Sequence, residues 1–170
     1  LGRTEEALRL EQDVYSGFVK LLGEEHANTL RVANNYAGTL RDQRRYEEAK
    51  ALLRKTIPVA QRVLGSNEIT LKMRWTFGMS LTRSDAATLD DLREAVTTLE
   101  DAEWTTRRVF GGAHPLTAAI EGDLRDARAA LRAREAQSRA ALRARSLLPF
   151  GASAVAVAVC ARVWYYLNEH

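Results

Sequence analysis

The chain has 170 residues, 46% of them hydrophobic, with 10 Gly and 3 Pro; this excludes a disordered or collagen-like chain and leaves enough apolar surface for a core. The net charge of +3 is local: residues 1–130 carry 19 basic and 20 acidic side chains, while residues 131–145 carry five Arg and one Glu. The body therefore lacks the cationic excess that nucleic-acid binding requires.

The chain opens at Leu1 inside a pattern that recurs, and so reads as a fragment of a longer repeat protein. Leu22–Leu30 (LGEEHANTL) is echoed by Leu64–Leu71 (LGSNEITL) and by Phe110–Thr117 (FGGAHPLT), at spacings of 42 and 46 residues. Glu5-Glu6-Ala7, Glu47-Glu48-Ala49 and Arg93-Glu94-Ala95 repeat at the same 42 and 46. Both markers lengthen by four residues in the same unit, and the excess falls in the segment Ser84–Asp90. Such a period predicts stacked supersecondary units that bury one continuous core.

Each unit reads as two helices. In the first full unit, Thr29–Arg41 carries Leu30, Ala33, Ala37 and Leu40 on one face, the three-and-four spacing of a half-buried helix. Asp42–Arg45 is a polar turn, and Tyr46–Leu64 carries a second apolar stripe that Pro58 should interrupt. Gly65 supplies the positive-φ residue that ends it. Thr70–Leu81 and Leu89–Phe110 repeat the arrangement, Gly111-Gly112 closes the second helix, and Pro115 suits the first turn of the next. Ala7, Ala37, Ala49, Gly78 and Ala95 recur where neighbouring helices must approach closely. The fold expected is an all-α solenoid of helix pairs: a partial repeat at 1–25, full repeats at about 26–66 and 67–112, and a partial repeat at 113–130. An Ala/Arg-rich helix at 126–146 follows, as a cap or a solvated arm, and then an apolar tail at 147–170.

The segment LGEEHANTL and the run Asn34–Leu53 (NNYAGTLRDQRRYEEAKALL) resemble the tetratricopeptide repeats of kinesin light chains over about residues 1–125, most closely over 22–65. Asn35-Tyr36-Ala37 stands where that family has Asn-Leu-Ala, and Arg45–Ala49 fits its Arg-Tyr-Glu-Glu-Ala run. The resemblance implies non-catalytic recognition of a protein or peptide in a groove lined by the first helix of each pair. It places Asn35 where the family's Asn grips a peptide backbone, with Arg31 and Asn34 nearby. The corresponding residue of the next unit is Thr76, and Lys72 joins Arg31 in implying an acidic ligand. Arg31, Asn34, Asn35 and Lys72 are thus the candidate partner-binding residues, and an adaptor role follows from the resemblance.

His26 and His114 occupy one position of the repeated loop, which marks a turn-closing or capping role rather than a metal or acid–base pair. Glu24-Glu25 and Glu47-Glu48 read as solvent-facing or cap-type charges, and Trp75, Phe77 and Trp104 as core. No phosphate loop, nucleophile elbow or metal-ligand spacing is present, so no catalytic residue, cofactor or metal is expected. Leu147–Ala161 is uncharged for 15 residues before Arg162, shorter than the ~20 residues a membrane span needs. A cytoplasmic chain is the leading reading; a membrane anchor through 147–167, preceded by the Arg cluster, is the alternative. A regulatory repeat module within a larger signalling protein is a third. Cys160 is the one cysteine, which rules out a disulfide within the chain.

Overall fold

The computed structural model describes residues 2–146, with side-chain surroundings for 5–143. The proposed anchor, Cys160 and the rest of 147–170 lie outside the described residues. The chain divides into two units, Leu1–Arg132 and Ala133–His170.

The first unit is all helix among its described residues: α1 (Gly2–Leu22), α2 (Ala27–Asp42), α3 (Tyr46–Leu64), α4 (Glu68–Arg83), α5 (Leu89–Phe110) and the first part of α6 (Pro115–Ser146). From α1 through α5 consecutive helices pack on one another, and α2 also packs directly on α4. Stacked helix pairs of this kind make an α-solenoid. Three apolar clusters fill it among its described residues, the smallest being Leu8 of α1, Tyr36 and Leu40 of α2 and Ala49 of α3. Leu30, Ala33 and Ala37 of α2 meet Leu53 and Ala60 of α3 and Met73, Phe77 and Leu81 of α4. One repeat further on, Leu71 of α4 and Leu99 and Ala102 of α5 meet Leu116, Ile120, Leu124 and Ala127 of α6.

The helix boundaries follow from local chemistry. His26 caps α2, its Nδ1 accepting from the Asn28 amide at 3.1 Å, and His114 caps α6 through the Leu116 amide at 3.2 Å. Asn67 does the same for α4, accepting from Ile69 at 2.7 Å, so all three repeated loops end on a side-chain acceptor for the unpaired amides of a first turn. Thr88 and Asp91 form a reciprocal capping box at the start of α5. Gly65 and Gly111 follow α3 and α5 with φ of 61° and 88°, a region that side chains with a Cβ avoid.

Several expectations need correcting. Pro58 does not interrupt its helix: α3 runs unbroken from Tyr46 to Leu64, because its packing on α2 and α4 offsets the one backbone hydrogen bond that proline forfeits. The four-residue excess is not all loop; Leu89–Asp91 form the first turn of α5, which has 22 residues against 19 for α3. Ala7 is exposed, whereas its repeat equivalents Ala49 and Ala95 are fully buried. Trp104 is not core: it is 59% exposed, with the Arg108 guanidinium 4.6 Å from its ring centre. The paired glutamates are exposed but engaged, Glu24 with Lys55 and Glu25 with Arg62, each at 2.6 Å. Lys50, which no sequence pattern sets apart, is buried, with Nζ 2.7 Å from Glu47 and 3.7 Å from Asp91.

In the second unit, residues 133–146 continue α6. Their described side chains are exposed or half-buried, with Arg139 paired to Glu135 at 3.4 Å. Among the described residues no helix is long and apolar enough to cross a membrane.

Candidate functional site

Direct packing of α2 on α4 puts the first helices of two successive pairs side by side. Between them lies an open cleft of about 270 Å³, lined on one wall by Asn34, Asn35, Gly38, Arg41 and Asp42 and on the other by Lys72, Trp75 and Thr76. Three of the four residues singled out in the sequence, Asn34, Asn35 and Lys72, therefore come together. Arg31 does not line the cleft; it is exposed one turn before Asn35 on α2.

The wall residues are held by named partners. Lys72 Nζ lies 2.6 Å from the Glu68 carboxylate one turn earlier on α4, and this bond holds the Glu68 carboxyl below its ordinary pKa, with the Lys72 charge adding to the effect. Arg41 is only 17% exposed at its side chain and pairs with Asp42 at 2.7 Å; a second guanidinium nitrogen meets Met79 Sδ at 3.5 Å. Trp75 packs against the second core cluster and donates its indole N–H to Asp123 of α6 at 2.7 Å. Asp123 also accepts from Arg83 at 3.0 Å, so one α6 carboxylate fixes two α4 side chains. Asn35 is exposed, and the Asn34 Oδ1 is buried without a hydrogen-bond partner among the described residues. Thr76, the repeat equivalent of Asn35, is buried at the cleft floor.

The cleft can hold an extended chain by amide and hydroxyl hydrogen bonds, with an indole face as an apolar contact and cations at its edge. Arg41 and Trp75 escape a sequence reading of the site. Arg41 looks like one more polar residue at a helix end, and Trp75 belongs to an apolar stripe; its polar N–H edge was the available signal. Among the described residues no cluster of His, Cys, Asp and Glu could hold a metal ion.

Stacked helix pairs with a cleft between their first helices define a helical-repeat scaffold. Residues 1–83 match the family model described as Tetratricopeptide repeat, a match that spans just under half of the 170-residue chain. Tetratricopeptide repeats generally mediate protein–protein interaction, and the family is typically a non-catalytic scaffold. No curated protein matches the chain.

Proposed function

We propose that the α2–α4 cleft binds an extended segment of a partner protein and that the chain works as an adaptor without a cofactor. The observation that carries this reading is the convergence of Asn34, Asn35, Lys72, Trp75 and Thr76 on one open cleft between the first helices of the two full repeats, 26–66 and 67–112. The exposed Asn35 amide on the cleft wall supports a peptide ligand, since it can both donate to and accept from a peptide backbone. An acidic ligand is supported by Arg31, which is exposed beside the cleft and has no ion pair among the described residues. The likeness of residues 22–65 to kinesin light chain repeats supports the adaptor role.

Selection of peptides from a random display library on the full chain, followed by titration of the enriched peptides, tests this. The Asn35→Ala/Lys72→Ala variant should bind them at least ~10-fold more weakly, about 1.4 kcal/mol, while Gln61→Ala on α3 leaves binding unchanged. Equal binding by the double variant would remove the cleft as the working surface.

A further inference from the structure

The indole N–H of Trp75 is the one hydrogen-bond donor the ring has, and it does not serve the α2–α4 cleft. It goes to Asp123 Oδ2 of α6 at 2.7 Å, and Asp123 is not among the residues that line the cleft. The N-caps His26, Asn67 and His114 set the repeat register of α2, α4 and α6, at offsets of 41 and 47 residues. In that register Trp75 corresponds to Asn34 of α2 and Gly122 of α6, and Asp123 corresponds to Asn35 and Thr76. Of the three helices, only α4 carries a large apolar ring at this place.

Asp123 is well placed to hold that bond. Its side chain is 16% exposed, and each of its oxygens has a donor: Oδ2 takes the indole, and Oδ1 takes the Arg83 guanidinium at 3.0 Å. The guanidinium balances the carboxylate charge and lowers the cost of keeping it largely out of water. Trp75 also packs against the cluster of Leu71, Leu99 and Leu116. The ring is thus fixed twice, by apolar packing and by a charge-assisted hydrogen bond. A free indole could turn its N–H edge toward the cleft, because the outer torsion of an aromatic side chain is soft. A tethered one offers the cleft carbon alone.

We propose that Asp123 is a positioning residue of the cleft: it holds Trp75 so that the partner segment meets an apolar surface there, and the segment carries an apolar side chain at that point. This rests on the α2–α4 cleft being the binding surface and adds a specificity rule to it. With no free donor on the ring, a polar side chain set against Trp75 gives up its water and gains no hydrogen bond from the indole. An apolar side chain has no such bond to lose and gains from leaving water. The rule is imposed from α6, which contributes no residue to either wall.

The peptides enriched on the full chain are the probe. They should share one apolar position, and asparagine there should weaken binding roughly 10-fold. Asp123→Ala should weaken binding roughly 5-fold and shrink the asparagine penalty to about 2-fold, because the freed indole N–H can then donate to the peptide. In a Trp75→Phe background, which has no N–H, Asp123→Ala should change little. Without peptide, the Trp75 indole proton, identified in the NMR spectrum by its loss in Trp75→Phe, should move upfield and exchange several-fold faster in Asp123→Ala. Ile120→Val, in the buried core of the same helix, should lower stability and move neither readout. If Asp123→Ala does not fold, Asp123→Asn should give the same changes at smaller size, since its single oxygen can serve only one of the two donors. An unmoved indole proton, or an undiminished preference for the apolar side chain, would overturn the proposal. If Asn35→Ala/Lys72→Ala weakens binding and Asp123→Ala does not, the cleft stands and the role of Asp123 falls. If neither variant weakens it, or no peptide is enriched, both fall.

Discussion

Among the described glycines Gly78 leaves the least room for a Cβ, and replacing it with alanine tests the packing account. A Cβ at position 78 would lie 2.6 Å from Leu99 Cγ and 2.7 Å from its Cδ2, and Leu99 is fully buried, so it has no free volume to retreat into. Two terms favour the substitution: helix propensity gives about 1 kcal/mol over glycine, and the added methyl buries about 0.8 kcal/mol of apolar surface. Against them stands overpacking, at about 1–3 kcal/mol when a methyl enters a filled core. With both contacts far inside van der Waals distance, the upper end applies, and a net loss of about 1 kcal/mol is expected. The first repeat is an internal control, since Ala37 holds the same place there, fully buried beside Leu53, the equivalent of Leu99. The assay is a double-mutant cycle by urea denaturation. Leu99→Ala alone should cost about 2–5 kcal/mol, and in that background Gly78→Ala should become stabilising, because the obstructing atoms are gone and the propensity gain remains. Stabilisation by Gly78→Ala in the wild-type background would refute the reasoning.

Three further expectations follow from single contacts. Pro58 sits inside α3 and withholds one helical hydrogen bond, so Pro58→Ala should raise stability by about 1–3 kcal/mol in the same denaturation assay; a loss would show that the ring's packing outweighs the missing bond. Phe77, 5% exposed, and Trp104, 59% exposed, should part sharply on truncation, with about 3–5 kcal/mol lost for Phe77→Ala and about 1 kcal/mol or less for Trp104→Ala, mostly its contact with Arg108. Asp91 accepts from the Thr88 amide and hydroxyl at 2.9 and 2.7 Å, and these bonds hold its carboxyl below the ordinary pKa. Its contribution is present above the unfolded-state pKa and is lost as pH falls through the folded one, so stability should hold from neutral pH to about pH 5 and drop progressively below that. Asp91→Asn should flatten that acid limb, and an unchanged limb would assign it to other carboxylates.

Periodicity made the helices legible because it is set locally. The bounds of α3 and α5, Tyr46–Leu64 and Leu89–Phe110, follow from a stripe that ends on a glycine with positive φ, and the recurrence of His26 and His114 pointed to their capping role. Burial was less legible, because a stripe shows which face is apolar but not whether a neighbour covers it. Ala7 and Ala49 have the same local sequence and opposite exposure, since α3 has α2 against that face and α1 has no helix there among the described residues. Trp104 has the spacing of a core residue, yet Pro58, its equivalent one repeat earlier, shares a cleft lined by Glu94, Thr97 and Thr98 of α5, for which Trp104 has no counterpart among the described residues. Lys50 was missed because a long aliphatic stem can be buried while its ammonium reaches two carboxylates. In the cleft, Asn34, Asn35 and Lys72 were legible from the repeat offset, while Arg41 and Trp75 depend on the distance between α2 and α4, which no local pattern encodes.

The central claim is that a partner segment lies between α2 and α4, and the most direct measurement is site-specific photo-cross-linking of a selected peptide. Photoreactive residues would replace Thr39, which lines the cleft, and Trp104 on α5. The account predicts cross-linking from position 39, competed by unlabelled peptide and weakened in the Asn35→Ala/Lys72→Ala background, with none from position 104. Cross-linking from position 104, or from neither position while binding persists in solution, would contradict it.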